Sequence, residues 1–579
     1  MSEFLGTVSG LVWHETLVYL CLAAGVYFSI RSRFVQVRQI PEMIRLMLKG
    51  EKSPSGVSSF QALTISLAGR VGTGNIAGVA TAIAFGGPGA LFWMWVVAFL
   101  GASTSFVECT LGQIYKDRDK LTGEYRGGPA YYFSQAFANT AGAVPMKIYG
   151  YVFAAVTMLA MGLLLPSVQS NSMASAMNIA WGWSEWWVAV GIVIVLAFVI
   201  IGGVKRIATF ASIVVPFMAV VYIVLALVIV LINASEIPSI ISLIFSSAFG
   251  IDSAFGAILG VAVMWGVKRG IYSNEAGQGT GPHAAAAAEV SHPAKQGLVQ
   301  AFAVYVDTLF ICSATGFLIL STGAYRVFEG ESADGAVIAE GGILPEGVEV
   351  GPAFAQTGFD TLWSGAGASF IAISLAFFCI TTIIAYYYMA ETNLRFLLGK
   401  AATINVPFLR GTVGSNTTML LQALILVSVT IGAVSTAADA WTLGDIGVGL
   451  MAWLNIIGIL ILQQPAYKAL WDYEKQKKQG LDPMFDPIAL GIKNATFWEN
   501  YDPATGKEFW RVRHGGMNAA IRPLIGNGLL YIAAGSGPTS LVAVRPDGTG
   551  DITNTHMEWS SGKGIPKRPS PLLIGDRLF

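Results

Sequence analysis

Gly69-Arg70-Val71-Gly72-Thr73-Gly74-Asn75-Ile76-Ala77-Gly78 lies inside an apolar stretch, residues 60–85, long enough to cross a bilayer. Four glycines, an arginine, a threonine and an asparagine do not suit the middle of a simple membrane helix. Backbone in lipid must satisfy its own hydrogen bonds, so helix-weakening sequence at that depth marks a protected cavity or a site. A charged residue there is a functional signal. A broken membrane helix of this kind is what a carrier needs to hold a small polar solute halfway across.

The rest of the chain agrees. Of its 579 residues 54% are hydrophobic and only 12% charged, with mean hydropathy +0.60. A soluble domain carries about 25% charged residues. Net charge is zero, which gives no reason to expect nucleic acid. Cys21, Cys109, Cys312 and Cys379 sit in apolar runs without paired spacing and read as small apolar filler. The five histidines show no ligand spacing, so no metal site is assigned. The first 15 residues carry no Lys or Arg, which argues for a retained first span over a cleaved signal.

Apolar runs near 11–30, 60–85, 89–114, 148–170, 186–203, 208–232, 255–290, 297–321, 364–390, 413–433 and 440–462 predict about eleven crossings. Basic residues alternate with them. Arg31, Arg33, Arg38 and Arg45 follow the first; Lys116, Arg118 and Arg126 the third; Lys205 and Arg206 the fifth; Arg395 and Lys400 the ninth; Lys468, Lys475, Lys477 and Lys478 the last. Positive loops stay in the cytoplasm, which places the N-terminus outside and the C-terminus inside a bacterial-type plasma membrane.

The run 255–290 is too long for one straight crossing. Its middle, Lys268-Arg269-Gly270-Ile271-Tyr272-Ser273-Asn274-Glu275-Ala276-Gly277-Gln278-Gly279-Thr280-Gly281-Pro282, repeats the signs of a break, and Pro282 suits the first turn of a new half-helix. Arg70 precedes Asn75, and Arg269 precedes Asn274, by the same interval. Two interrupted helices of opposite direction predict an inverted repeat with its site at the interface. A glycine-rich packing seam is the plainer reading, but such seams need no Arg, Asn and Glu beside them.

The chemistry expected follows from the breaks. Free N–H groups at one half-helix attract a carboxylate, and free C=O groups with hydroxyls suit a hard cation such as Na⁺. Substrate contacts are expected from Thr73, Gly74, Asn75, Gln169, Asn171, Ser273, Asn274, Glu275, Gly277 and Gly279. Gln169 and Asn171 are expected to end the fourth span after Pro166. Sodium contacts are expected from Gly72, Thr73, Thr381 and Thr382, although a threonine in a membrane helix more often bonds back to its own helix. Glu275 and Arg70 are expected to pair across the breaks, and Glu108, Asp307 and Asp445 to pair within the bundle.

Gly-Thr-Gly-Asn-Ile-Ala-Gly at 72–78, Arg-Gly-Ile-Tyr-Ser-Asn-Glu-Ala-Gly-Gln-Gly at 269–279, and Phe485-Asp486-Pro487 before Leu490-Gly491-Ile492 resemble the sodium:alanine/glycine symporters. The resemblance runs from about residue 10 to about residue 499. It implies an all-α polytopic membrane protein with a LeuT-like 5+5 inverted repeat behind one extra N-terminal span. It also implies symport of Na⁺ with alanine or glycine, with no organic cofactor and no enzyme activity. Gln278, Thr280 and Pro282-His283 depart from the small residue, serine and alanine-rich sequence expected there, which bears on pocket size and cation preference. Two rivals are a H⁺-coupled carrier of another small solute, through a carboxylate such as Glu275, and a membrane sensor with a C-terminal output domain.

Residues 500–579 differ in character from 1–499, being polar, turn-rich and strand-like. Asp502-Pro503-Ala504-Thr505-Gly506-Lys507-Glu508-Phe509-Trp510 resembles a repeat unit of PQQ-type, quinoprotein-like β-propellers. A propeller needs about four blades. The tail holds roughly one and a half at a period of about 49 residues, so a truncated fragment without bound PQQ is expected.

Overall fold

The computed structural model describes residues 2–48, 57–119, 122–200, 203–251, 255, 259–330, 332–361, 363–405 and 412–499, and short pieces of the tail between 510 and 578. The chain divides into two units, Met1–Glu499 and Asn500–Phe579.

The first unit is helical. Among the described residues seven helices are long and apolar enough to cross a membrane: Glu3–Arg31, Gly89–Ile114, Ala143–Trp181, Pro293–Thr322, Gly367–Thr403, Val413–Val434 and Ala437–Leu462. Two further crossings are broken. Ser59–Arg70 and Ala77–Gly86 form the second span; Leu259–Asn274 and Gly281–Ala287 form the seventh. Glu185–Ile200 and Gly203–Ile232 supply the fifth and sixth, which brings the total to eleven.

The repeat is visible element by element. Each half runs broken helix, long helix, two-stranded hairpin, short helix, then three helices. The hairpins pair Asp117–Arg118 with Tyr125–Arg126 and Arg326–Phe328 with Val337–Glu340. The short helices are Pro129–Ala136 and Pro352–Asp360. Each opens with proline after a glycine at positive φ, Gly128 at 131° and Gly351 at 150°. Only glycine takes that conformation cheaply, and proline is tolerated in a first turn because its missing N–H would be unpaired there anyway. Five crossings per repeat is an odd number, so the second repeat sits inverted in the membrane.

Packing follows the same symmetry. The second span packs on the seventh, the third on the eighth, the fourth on the ninth and the fifth on the tenth. The fourth and eighth spans also share a defect, a π-helical turn at Ala160–Leu164 and at Val306–Cys312. Such turns cluster at functional sites.

One boundary differs from expectation. The fourth span does not end at Gln169 and Asn171 but continues to Trp181. The polar run Ser167–Ser172 looked like an interface because hydropathy falls there. It is buried between neighbouring helices instead.

The second unit contains a four-stranded antiparallel sheet. Its strands Leu524–Gly526, Leu529–Ala534, Ser540–Val544 and Met557–Ser561 pair in chain order. The stretch 502–509, on which the propeller resemblance rests, lies outside the described residues.

Candidate functional site

The second span starts with a capping box in which the Ser58 hydroxyl accepts from the Gln61 amide at 3.1 Å and Gln61 Oε1 accepts from Ser58 N–H at 3.0 Å. Its helix stops at Arg70. A single 3₁₀ turn, Thr73–Asn75, bridges to Ala77. Gly72 N–H donates to Asn75 Oδ1 at 2.9 Å, and Thr73 N–H donates to Gln169 Oε1 at 3.0 Å. Glycine is needed at both inner positions. A Cβ on Gly72 would lie 2.7 Å from Thr382 Oγ1 and 2.8 Å from Gln169 Oε1. One on Gly74 would lie 3.2 Å from Ser273 Cα and from the Tyr272 ring. The first break therefore packs closely against Tyr272 and Ser273, at the end of the half-helix Leu259–Asn274.

The seventh span unwinds from Glu275 to Thr280, with positive φ at Glu275 (58°), Gly277 (87°) and Gly279 (83°). It resumes at Gly281, with Pro282 in the first turn. The freed amides are not open to a ligand. Gly277 N–H donates to Glu108 Oε1 at 3.2 Å and Gly279 N–H to Glu108 Oε2 at 3.1 Å. Asn455 Nδ2 donates to Glu108 Oε2 at 2.7 Å and to Gly277 O at 3.0 Å, and Tyr132 holds Asn455 through Oδ1 at 2.5 Å. Gly277 and Gly279 are expected as substrate contacts, and in this structure their amides are already taken. A carboxylate does sit on those amides, and it is the chain's own.

A second buried carboxylate joins the two breaks. Asp307 lies in the π-helical turn of the eighth span. It accepts from Asn75 Nδ2 at 2.6 Å, Ser273 Oγ at 2.9 Å and Thr308 Oγ1 at 2.8 Å. Cys312 Sγ lies 3.3 Å from Asn75 Nδ2 and 3.2 Å from Ser273 Oγ, so it belongs to this cluster and is more than filler. Asn274 closes its own turn, its Oδ1 accepting from Ala276 N–H at 3.0 Å, and its Nδ2 reaches Thr308 Oγ1 at 3.3 Å.

Oxygen crowds around Thr382 in the ninth span. Its Oγ1 lies 2.8 Å from Ala68 O, 3.1 Å from Val71 O and 2.8 Å from Phe378 O. Thr381 Oγ1 lies 2.9 Å from Phe377 O and from Phe378 O. A hydroxyl has one proton to give. Phe378 O already takes an N–H of its own helix, so the Ala68 and Val71 carbonyls compete for that one proton, and with Thr382 Oγ1 they form an oxygen set suited to a hard monovalent cation. Ala68 and Val71 were not foreseen. Their carbonyls are freed because the helix ends at Arg70, and no side-chain pattern reports that. Gly72 borders the cluster, and the Thr73 hydroxyl is buried without a partner.

On the Lys268 side of the breaks a charge cluster closes the bundle. Asp445 takes a bidentate pair from Arg269 at 2.8 and 3.1 Å, and Lys268 Nζ at 2.9 Å. The Arg269 guanidinium stacks 4.3 Å from the Trp441 ring, which packs against Tyr272. The Tyr272 hydroxyl is buried and unpartnered. Tyr272 and Trp441 were missed because aromatic residues in a membrane span read as ordinary packing.

Two other expectations change. Asn171 donates to Gly432 O at 3.2 Å and Ser435 O at 2.7 Å, so it fastens the end of the tenth span and stands apart from the breaks. Arg70 forms no ion pair with Glu275. It donates to Gln300 O at 3.1 Å and Ser105 Oγ at 3.3 Å, having polar partners on the third and eighth spans that sequence spacing does not reveal. The Glu275 carboxylate packs against Gly69 instead, and neither of its oxygens accepts a hydrogen bond.

Broken helices crossing at the middle of an inverted repeat, with polar groups buried where they meet, make this a membrane transporter and not an enzyme. The chain belongs to the Sodium:alanine symporter family, whose model matches residues 1–487. The Bacillus subtilis protein YrbD is 55% identical over 499 residues, covering 86% of this chain and 98% of its own length. A Bacillus sp. PS3 protein named sodium/proton-dependent alanine carrier protein is 49% identical over 476 residues, 82% and 99% of the two chains. The sodium/alanine symporter AgcS of Methanococcus maripaludis is 36% identical over 463 residues, 79% and 94% of the two chains.

Proposed function

We propose that this chain carries alanine, and small neutral amino acids such as glycine, into the cell together with Na⁺ by alternating access. The observation that carries the reading is the oxygen cluster at Thr382, which draws on both the broken second span and the ninth span. A cation there ties the two helices together, and so favours the arrangement in which the broken helices close on substrate. Substrate closing the same arrangement strengthens Na⁺ binding by the same factor, which is coupling without direct contact.

The substrate place proposed is beside the first break, where the Thr73 and Tyr272 hydroxyls are buried without partners and Gln169 braces the turn. A zwitterion supplies both donors and acceptors to such groups. The Trp441 and Tyr272 rings and the closely packed Gly74 crowd this place, which favours a small side chain over a large one. The basic loops orient the protein with its N-terminus outside and its C-terminus in the cytoplasm of a bacterial inner membrane. Asp445 with Lys268 and Arg269 then forms the outer closure. The tail is assigned no part in transport and no bound PQQ.

Uptake of labelled alanine into proteoliposomes tests the reading. An inward Na⁺ gradient is expected to drive accumulation that choline does not support. Equal uptake in the two salts overturns it.

A further inference from the structure

The three buried carboxyls around the breaks are treated differently by the fold. Glu108 accepts two backbone N–H groups and an amide, and Asp307 accepts an amide and two hydroxyls. Both have donors to their oxygens. Glu275 is 1% exposed, and neither of its oxygens has a donor. A bare carboxylate away from water is costly, whereas the neutral acid is tolerated. Arg70 and the Thr280 hydroxyl lie beside it and favour the anion, but neither Glu275 oxygen holds a well-formed hydrogen bond. Arg70 from the second span is turned to Gln300 O and Ser105, and Glu108 and Cys109 from the third, Asp307 from the eighth and Tyr386 from the ninth are acids or neutral.

We propose that Glu275 is a proton site: its carboxyl takes up one proton when the broken helices close, and gives it back when the seventh span opens to water. The proposal rests on the transport reading above. In water a glutamate is ionised at neutral pH. In the arrangement seen here it is cut off from water and holds no well-formed hydrogen bond, which favours a proton on one Glu275 oxygen. Coupling therefore involves a proton beside Na⁺, held on the face of the break turned to Gly69 and apart from the Thr382 oxygens.

The test is calorimetry of alanine binding to the full-length protein in saturating Na⁺, across the neutral and alkaline range, in buffers of different ionisation heat. The wild type is expected to take up close to one proton per alanine. Its Kd is expected to rise by up to about tenfold per pH unit as protons become scarce. Glu275→Gln, which mimics the neutral acid, is expected to bind with the wild type's low-pH affinity at every pH and take up no proton. Wild-type binding without proton uptake overturns the proposal, and this arm decides alone should the variant fail to fold. Undiminished proton uptake by Glu275→Gln overturns it by placing the proton elsewhere. Loss of alanine binding in that variant at low pH overturns it by making the carboxyl a substrate ligand. Absence of Na⁺-dependent alanine binding in the wild type overturns the transport reading, and the proposal falls with it; binding without a proton overturns the proposal alone.

Discussion

Asp445 answers two buried cations at once, Lys268 and Arg269. Removing its charge leaves both without a counter-ion in low dielectric. Breaking a buried pair in this way costs about 3–5 kcal/mol. Asp445→Asn is therefore expected to lower the thermal unfolding temperature in detergent and to weaken alanine accumulation, whereas Lys268→Met, which keeps the Arg269 pair, does less of both. Gly74 makes a different argument. A leucine there forces Ser273 and Tyr272 away from the first break. Overpacking costs about 1–3 kcal/mol, too little to prevent insertion of an eleven-span bundle but enough to part the two breaks. Gly74→Leu is expected to reach the membrane in normal amount and to lose alanine binding; normal alanine affinity in that variant contradicts the close approach. The glycines at 72, 74, 277 and 279 were legible in the sequence as places where backbone must come near something. What came near was not, because Glu108 and Thr382 lie on other helices and their partners are backbone atoms.

The amphipathic helix Ile40–Leu48 between the first two spans shows how an element outside the membrane is fastened. Its Glu42 holds Arg45 through two hydrogen bonds at 2.7 and 2.6 Å and accepts from the Tyr473 hydroxyl of the helix Gln464–Lys478. Burial alone favours the neutral acid, but the Arg45 and Tyr473 hydrogen bonds outweigh it and lower the Glu42 pKa from 4.5 to about 2. The sign follows from linkage. A depressed carboxylate stabilises the docked helix above its ordinary value and loses that contribution as pH falls from 4.5 towards about 2. Hydrogen exchange of residues 40–48 is expected to be flat from neutral pH down to the carboxylate range and to quicken below it, after correction for intrinsic rates. Quickening near neutrality contradicts this account. The helix breaks themselves were the most legible elements, because glycine, charge and proline interrupt long apolar runs. The fourth span was the least, since Pro166 and Ser167–Ser172 lower hydropathy exactly as a loop does while burying the polar groups against other helices.

At the scale of the molecule, crossings and repeat came from periodic apolar length and from alternating loop charge, both one-dimensional signals. The cation cluster and the carboxylate caps are three-dimensional facts, made where helices from both repeats converge, so only Thr381, Thr382 and the breaks themselves announced them. The family match ends at residue 487, and YrbD is matched over 98% of its own length. A chain ending at Glu499 is therefore expected to take up alanine as the full chain does; loss of uptake with normal folding assigns the tail a function. The most direct measurement of the central claim is the Na⁺ dependence of alanine binding to purified wild type, Thr382→Ser and Thr382→Ala. Losing one oxygen ligand to a charged partner costs about 1.5–3 kcal/mol. The account predicts that alanine binds only with Na⁺, that Thr382→Ala needs roughly ten- to a hundredfold more Na⁺ for the same occupancy, and that Thr382→Ser stays near wild type. Alanine binding of equal strength without Na⁺, or an unchanged Na⁺ requirement in Thr382→Ala, contradicts it.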